Sequence, residues 1–142
     1  MTLEEYRIRH STLIEQYQWI EFHLEGLYAA ISDEPFGEAL REIEKDSIGG
    51  VAREIKKIEK EKNIVIFSED EYQELDMLRE RRNFWSHACY TEAYDKHTGA
   101  PRNAQMLSTD LWKAENFLER LRKIKEVHMD KNRKKIMDSL FC

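Results

Sequence analysis

The stretch RRNFWSH, residues 81–87, brings together side chains that bind phosphate and side chains that move protons. Arg82 carries a guanidinium that stays charged and can hold a phosphate bidentately or stabilise negative charge that grows during a reaction. His87 carries an imidazole, the side chain most often used to exchange a proton with a hydroxyl or a leaving oxygen. Asn83 can orient His87 or a phosphate. These residue types suit metal-free transfer of a phosphodiester to the RNA 2′-hydroxyl, with Arg82, His87 and Asn83 as candidate catalytic residues.

Arg82 interrupts an otherwise apolar helical pattern. Positions 75, 78, 82, 85 and 89 fall at three- and four-residue steps, and all but position 82 hold residues common in protein cores. A leucine would serve stability better there, because burying an unpaired guanidinium costs several kcal/mol. Neighbouring positions of the same helix are also polar. We name these residues the polar strip, which consists of Arg79, Arg82, Asn83, Ser86 and His87.

Other interpretations of these residues stay open at the level of sequence. Arg82 can pair with a buried glutamate from another helix, and His87 can be a helix-end histidine that interacts favourably with the helix dipole. Trp85 and Cys89 are expected in the core, with base stacking as a second role for Trp85. The other histidines are expected at the surface or in ordinary packing, namely His10, His23, His97 and His128.

Apolar spacing places the polar strip on one helix of a bundle. Six residues recur at four- and three-residue steps and predict a first helix from about Thr2 to Ser32. They are Leu13, Tyr17, Ile20, Leu24, Leu27 and Ile31. Pro35 ends that helix, a short helical piece follows around residues 39–43, and a further apolar face reaches about Glu61. The Gly49-Gly50 pair either interrupts this region or lets two helices pack closely.

The helix of the polar strip is expected to start at a capping box, because Ser68 precedes Glu71 by three residues. It should run from Glu69 through at least His87. The preceding stretch 63–67 is interpreted as a connector that buries Ile64, Ile66 or Phe67, and 94–103 as a loop. A final long helix follows, capped by Ser108, Thr109 or Asp110. Trp19 and Trp112 are expected in the core or at dimer contacts.

Composition supports one all-α domain over residues 1–142. Charged residues make up 36% of the chain and only two prolines and five glycines occur, which is typical of a helical bundle. We predict four to five antiparallel helices in up-and-down order. The two cysteines indicate neither a disulfide framework nor a zinc site, and no acidic cluster for a two-metal nuclease is evident. No metal or cofactor is therefore expected.

Charge and hydropathy narrow the compartment and the partners. The N-terminus has no apolar signal core and no stretch resembles a membrane span, so a soluble cytoplasmic protein is expected. The net charge of −5 argues against coating of nucleic acid by bulk charge. Residues 111–135 nevertheless carry nine basic and four acidic side chains, whereas residues 1–50 carry four and eleven. A polyanion such as RNA should therefore meet the last long helix and the arginine segment.

The segment RNFWSH resembles the R-x-x-x-x-H signature of the HEPN superfamily, with a polar residue directly after the arginine. Members of that superfamily are small helical bundles, and many are metal-independent ribonucleases in toxin–antitoxin pairs, phage defence and CRISPR effectors. The resemblance at the level of sequence covers about residues 79–90, and the helical layout covers essentially the whole chain. It implies an endoribonuclease whose catalytic pair is Arg82 and His87, with Asn83 as the polar companion.

The resemblance also implies partners. Two protomers of such a protein face each other, so a homodimer is expected to line one composite cleft, with Arg79, Arg81 and Ser86 as candidate RNA contacts. Five residues on a helix turn through roughly 140°, so Arg82 and His87 of one subunit point in different directions. In a dimer, an arginine and a histidine from opposite subunits could converge. A cognate antitoxin is a further expected partner. In some relatives a nucleotidyltransferase antitoxin modifies a tyrosine two positions after the histidine, whereas Tyr90 comes three positions after His87.

Three functions compete on this sequence. The first is the dimeric endoribonuclease. The second is a non-catalytic bundle of the same type that binds a nucleotide, RNA or a protein partner through the polar strip. The third is a purely structural helical oligomer in which Arg82 forms a salt bridge.

Overall fold

The structure, a computed structural model, describes residues 1–87, 89 and 102–141. They form six helices and no strand, which confirms the predicted all-α bundle. The helices are α1 (Leu3–Ile31), α2 (Phe36–Ile43), α3 (Ile48–Lys62), α4 (Glu69–His87), α5 (Ala104–Lys131) and α6 (Arg133–Phe141). Most of the predicted loop 94–103, Tyr90 and His97 lie outside the described residues. In the part of the chain described, no helix combines the length and apolar composition that crossing a bilayer requires.

The first helix matches its predicted span because both of its ends are capped. Thr2 and Glu5 form a capping box, in which the Thr2 hydroxyl accepts from the Glu5 amide at 3.1 Å. The last turn of α1 carries no basic residue of its own. Lysines from other helices bind its terminal carbonyls instead: Lys62 donates to Ile31 O at 2.6 Å, and Lys135 donates to Ala29 O at 3.0 Å. These bonds satisfy carbonyls that a helix end leaves without partners.

Buried residues of α1 lie against α4 and α5. All six residues of its predicted apolar stripe are buried, and they meet Leu75, Leu78 and Trp85 of α4 in one core. Helix α4 runs antiparallel to α5, because Arg81 reaches Asp110 whereas Arg120 reaches Glu74. Helix α4 is also antiparallel to α1, with Trp85 near Tyr6 and Arg82 beside Glu21. Arg82 of the polar strip therefore lies next to α1.

The Gly49-Gly50 pair lies within the first turn of α3 and does not interrupt it. A Cβ atom on Gly49 would lie 2.7 Å from Cδ of Arg79, so this glycine admits the arginine stem of α4. The close-packing alternative is thus the one that the structure supports.

The connector between α3 and α4 is held by side chains at both of its ends. Asn63, at φ 52°, ends α3 in the left-handed conformation that asparagine tolerates better than most residues. Of the three connector residues expected to be buried, Ile66 and Phe67 are buried and Ile64 is exposed. Glu59 accepts hydrogen bonds from the Phe67 amide and the Tyr72 hydroxyl. Burial and the bond to Glu59 raise the pKa of Tyr72 well above its ordinary value.

The predicted capping box at the start of α4 is confirmed. The Ser68 hydroxyl accepts from the Glu71 amide at 3.1 Å, and the Glu71 carboxylate accepts from the Ser68 amide at 3.0 Å.

We expect Ser68→Ala to lower the free energy of unfolding by about 1 kcal/mol, because it removes one half of this reciprocal cap. Ser47→Ala is the matched control: Ser47 is also an N-cap residue, but its side chain makes no capping bond. Urea unfolding followed by circular dichroism measures both variants. Equal losses in the two variants would contradict the assignment.

The start of the last long helix differs from the prediction. Helix α5 begins at Ala104 after Asn103, so Ser108, Thr109 and Asp110 lie inside it rather than at its N-cap. Asp110 accepts a buried hydrogen bond from Trp85 of α4, and the Ser108 hydroxyl accepts one from Arg9 of α1 at 3.1 Å. Side chains suited to capping are used here for packing between helices.

Candidate functional site

Helix α4 sends its three neighbouring arginines toward three different helices. Arg79 lies against Gly49 of α3 and pairs with Asp76 of its own helix at 2.9 Å. Arg81 reaches α5, where its Nε lies 2.7 Å from Asp110. Arg82 reaches α1, where its Nε lies 2.5 Å from Oε1 of Glu21. The predicted set of arginines is therefore not gathered on one surface.

Arg82 is paired as one of the sequence interpretations anticipated. Its side chain is 34% exposed and that of Glu21 is 20% exposed. The contact is close but is not aligned as a hydrogen bond, so Glu21 holds the guanidinium by charge. Within residues 1–87, 89 and 102–141, the two terminal guanidinium nitrogens make no hydrogen bond. Arg82 thus has two donor nitrogens available for another ligand.

The rest of the polar strip lies on the outside of the bundle. Asn83, Ser86 and His87 are exposed, and His87 closes the last turn of α4. All three side chains are accessible from solvent, and a binding site for RNA requires that accessibility. Arg82 and His87 point about 140° apart around the helix, as their five-residue separation dictates. One protomer therefore does not aim both groups at one phosphate through α4 alone.

A buried polar cluster accompanies the candidate site, and sequence reasoning missed it. Asp110, with 8% of its side chain exposed, accepts from Arg81 Nε and from Trp85 Nε1, both at 2.7 Å. The hydroxyl of Tyr17 lies buried nearby without a partner in the described residues. Burial and the charge of Asp110 raise the pKa of Tyr17 well above its ordinary value, so the phenol stays protonated. The only signal was an aspartate within the apolar pattern of α5.

A cleft of about 650 Å³ opens beside this cluster, between α4 and α5. Met77, Leu78 and Trp112 supply apolar walls. Polar residues line the remainder, namely Tyr17, Glu74, Arg81, Asp110, Lys113, Asn116 and Arg120. Its volume lies within the range of small-molecule sites. Trp112 is 65% exposed at its edge, so it is not the core residue that one sequence interpretation made it.

Two further residues near the strip are structural. Cys89 is buried and its thiol donates to Trp85 O, as expected for a small apolar residue on this face. His10 Nε2 lies 2.8 Å from the same carbonyl and therefore donates to it. The His10 contact joins the last turn of α4 to α1, whereas the Cys89 contact lies between residues four apart in the chain.

Glu21→Gln tests the charge pairing through the pH dependence of stability. Burial raises the pKa of Glu21 above its usual 4.5, and Arg82 offsets part of that shift. A carboxyl whose folded-state pKa is raised stabilises the fold below its unfolded pKa, and this contribution is lost as pH rises through the folded pKa. The stability of Glu21→Gln relative to wild type should therefore increase with pH above 4.5 and then level off.

Urea unfolding at stepped pH values measures this difference. In an Arg82→Met background the rise should extend to higher pH, because Arg82 no longer lowers the pKa of Glu21. If the stability difference between Glu21→Gln and its parent does not change with pH in either background, the charge pairing of Glu21 with Arg82 is contradicted.

Comparison of the chain with protein-family models, with curated proteins and with solved structures finds no match in any of the three.

Proposed function

We propose that this protein is a metal-independent endoribonuclease of the HEPN type, acting as a homodimer in toxin–antitoxin or phage-defence systems of the cytoplasm. The observation that supports it is the state of Arg82. Its guanidinium is oriented by Glu21, yet its two terminal nitrogens make no hydrogen bond in the described residues, and Asn83, Ser86 and His87 are exposed alongside. A guanidinium positioned in this way can bind a phosphate with two parallel hydrogen bonds.

In the proposed reaction, His87 takes the proton of the RNA 2′-hydroxyl as that oxygen attacks phosphorus. The new O2′–P bond forms while the P–O5′ bond breaks. The leaving O5′ takes up a proton from water, and His87 then releases its proton to solvent. Arg82 binds the nonbridging oxygens and stabilises the charge that grows on them. Asn83 orients the phosphate or the imidazole. The products are a 2′,3′-cyclic phosphate and a 5′-hydroxyl.

A dimer accounts for the divergence of Arg82 and His87 around α4. Arg82 of one protomer and His87 of the second would then share a phosphate. Ser86 lies between them on the exposed face and remains an RNA contact in this proposal. Arg79 and Arg81 contribute less, since carboxylates of the same protomer already pair with both. A cognate antitoxin would cover this face.

Subunit mixing tests both the chemistry and the composite site. Purified protein is incubated with labelled RNA in EDTA, first as Arg82→Ala alone, then as His87→Ala alone, and finally as a refolded mixture of the two. Random mixing should restore about a quarter of wild-type cleavage, because half of the dimers would carry one intact site out of two. No recovery, with each variant folded and dimeric, would remove the composite site.

A second candidate function is ligand binding without cleavage, and the cleft between α4 and α5 favours it. The buried Tyr17 hydroxyl and the Asp110 carboxylate lie beside apolar walls, an arrangement suited to a nucleotide or another small aromatic ligand. Under this alternative, purified protein binds a nucleotide, Trp112→Ala weakens that binding, and RNA stays intact. If wild-type protein cleaves RNA and His87→Ala does not, the endoribonuclease proposal is favoured over ligand binding.

A further inference from the structure

A second surface on the opposite flank of α1 combines cations with exposed aromatic rings. We name it the cation–aromatic surface, and it consists of Trp19, Phe22, His23, Arg122 and Lys125. The Lys125 ammonium lies 4.7 Å from the centre of the Phe22 ring and 3.1 Å from His23 Nδ1. Nε of Arg122 lies 3.5 Å from His23 Nε2. Two positive charges from α5 therefore flank one imidazole of α1.

Lys125 is built into this surface. A Cβ atom at Gly26 would lie 2.7 Å from Cε of Lys125, so the lysine stem crosses α1 at a residue without a side chain. The side chain is half-buried, and burial lowers the pKa of its ammonium. In the described part of the chain, no carboxylate pairs with Lys125 or Arg122. A cation that is partly desolvated and lacks an anionic partner favours the binding of an anion.

His23 leaves one hydrogen-bond donor unmatched in this arrangement. Burial, Lys125 and Arg122 together lower the pKa of His23 to about 4, so the ring is neutral at physiological pH. A neutral imidazole has one N–H donor and one acceptor nitrogen, but a cationic donor faces each nitrogen here. In either tautomer, one cation and the ring N–H point at each other as two donors. An oxygen atom that accepts from both would satisfy them.

The aromatic rings next to these donors are open to solvent. Trp19 is 41% exposed and Phe22 is 54% exposed, and their rings pack edge to face with centroids 5.6 Å apart. Trp19 also stacks on His23. Rings that remain this exposed beside unpaired cations match the combination that binds single-stranded nucleic acid, in which bases stack and phosphates pair with lysine or arginine. Glu15, whose carboxylate accepts from Trp19 Nε1 at 3.4 Å, places a negative charge beside the cation–aromatic surface.

The geometry points to the cation–aromatic surface as a binding site for single-stranded RNA, in which Arg122, Lys125 and the His23 N–H hold a phosphate and Trp19 with Phe22 stacks a neighbouring base. The choice of RNA rests on the proposed function. Glu21, which holds Arg82, lies on α1 directly before Phe22, so one helix separates the two surfaces. A strand crossing the exposed face of α1, about 10–12 Å wide, would reach both.

Binding is measured by fluorescence anisotropy with a short labelled DNA strand and, in a His87→Ala background, with the equivalent RNA. Neither probe is cleaved, because the first lacks the 2′-hydroxyl and the second lacks the proposed base. Lys125→Met keeps the apolar stem over Gly26 and removes the charge. Lys123→Met is the matched control, since Lys123 lies on the same helix, is exposed and pairs with Glu119.

Lys125→Met and Arg122→Gln should each weaken binding and reduce the slope of log K against log salt by about 0.7, the value for one lost phosphate contact with a single strand. Trp19→Ala should weaken binding about 5- to 150-fold through lost stacking. Glu15→Gln should tighten binding, and Lys123→Met should leave it close to wild type. Wild-type protein, with His87 intact, should cleave a dinucleotide, which is too short to cross α1. Failure of that cleavage would count against the proposed function alone.

Three results would overturn the inference. One is Lys125→Met and Lys123→Met having equal effects on the dissociation constant. Another is inorganic phosphate binding as tightly as the oligonucleotide, which would leave an anion site without base recognition. The third is a Trp19→Ala variant that becomes monomeric in sedimentation while it binds RNA normally, which would identify the surface as a subunit contact.

Discussion

Arg82→Ala and His87→Ala should each lower the rate of RNA cleavage by two to four orders of magnitude while the bundle stays folded. Such losses are typical when a general acid–base group or a preorganised charge on the reacting oxygens is removed. Arg82 is one-third exposed and His87 is exposed at the end of α4, so neither truncation opens a cavity in the core. Single-turnover cleavage of a labelled RNA in EDTA measures the effect.

Arg82→Lys separates geometry from charge in the same assay. Lysine retains the positive charge but cannot offer a planar pair of donors to one phosphate, so most of the loss should persist. Glu21→Gln should produce a smaller loss, because the guanidinium remains but is no longer held by charge. Full cleavage by purified Arg82→Ala or His87→Ala would exclude the strip as the catalytic centre.

The largest effect on stability is expected from Asp110→Ala, at about 2–4 kcal/mol of unfolding free energy. The carboxylate is the shared acceptor for Arg81 Nε and Trp85 Nε1, and its removal leaves an indole N–H buried without a partner. It also leaves the Arg81 guanidinium, which is 31% exposed, without its counter-charge. That exposure lets water reach the arginine, so the expected range lies about 1 kcal/mol lower than the 3–5 kcal/mol found for breaking fully buried pairs.

Two comparisons check the origin of this loss. Asp130→Ala removes an exposed aspartate from the same helix and should change the free energy of unfolding by less than about 0.5 kcal/mol. In a background of Arg81→Met and Trp85→Phe, Asp110→Ala should cost much less, because the two donors are already gone. Urea unfolding measures all of these. An undiminished loss in that background would assign the effect to helix packing instead.

Periodicity and capping chemistry were sufficient to predict much of the fold. The span of α1 followed from its apolar stripe and Pro35, and the start of α4 followed from Ser68 and Glu71. These signals are local, since they depend on residues within one or two turns of each other. The N-cap of α5 was predicted five to seven residues too late, about one and a half to two turns, for the opposite reason. Asp110 is used for a contact with α4 at a distance of more than twenty residues along the chain.

The polar strip was identified from the sequence, but the partners of its arginines were not. The local sequence shows that Arg82 breaks an apolar pattern. It does not show that Glu21 is the partner of Arg82, because that depends on how α1 and α4 pack side by side. The same holds for Lys125, whose position depends on Gly26, about one hundred residues earlier. The exposure of Trp19 was equally hidden, because helical spacing shows which residues share a face and not which face is covered.

The capping of α1 by Lys62 and Lys135 has a consequence for the emerging polypeptide. Helix α1 receives one cap only after Lys62 of α3 has been translated, and receives the second only when α6 has been translated. Until then the carbonyl of Ala29 can form its hydrogen bond only with water or with a chaperone. A ribosome-bound intermediate halted before Lys135 should therefore be cut by protease near Ser32 more readily than the released protein.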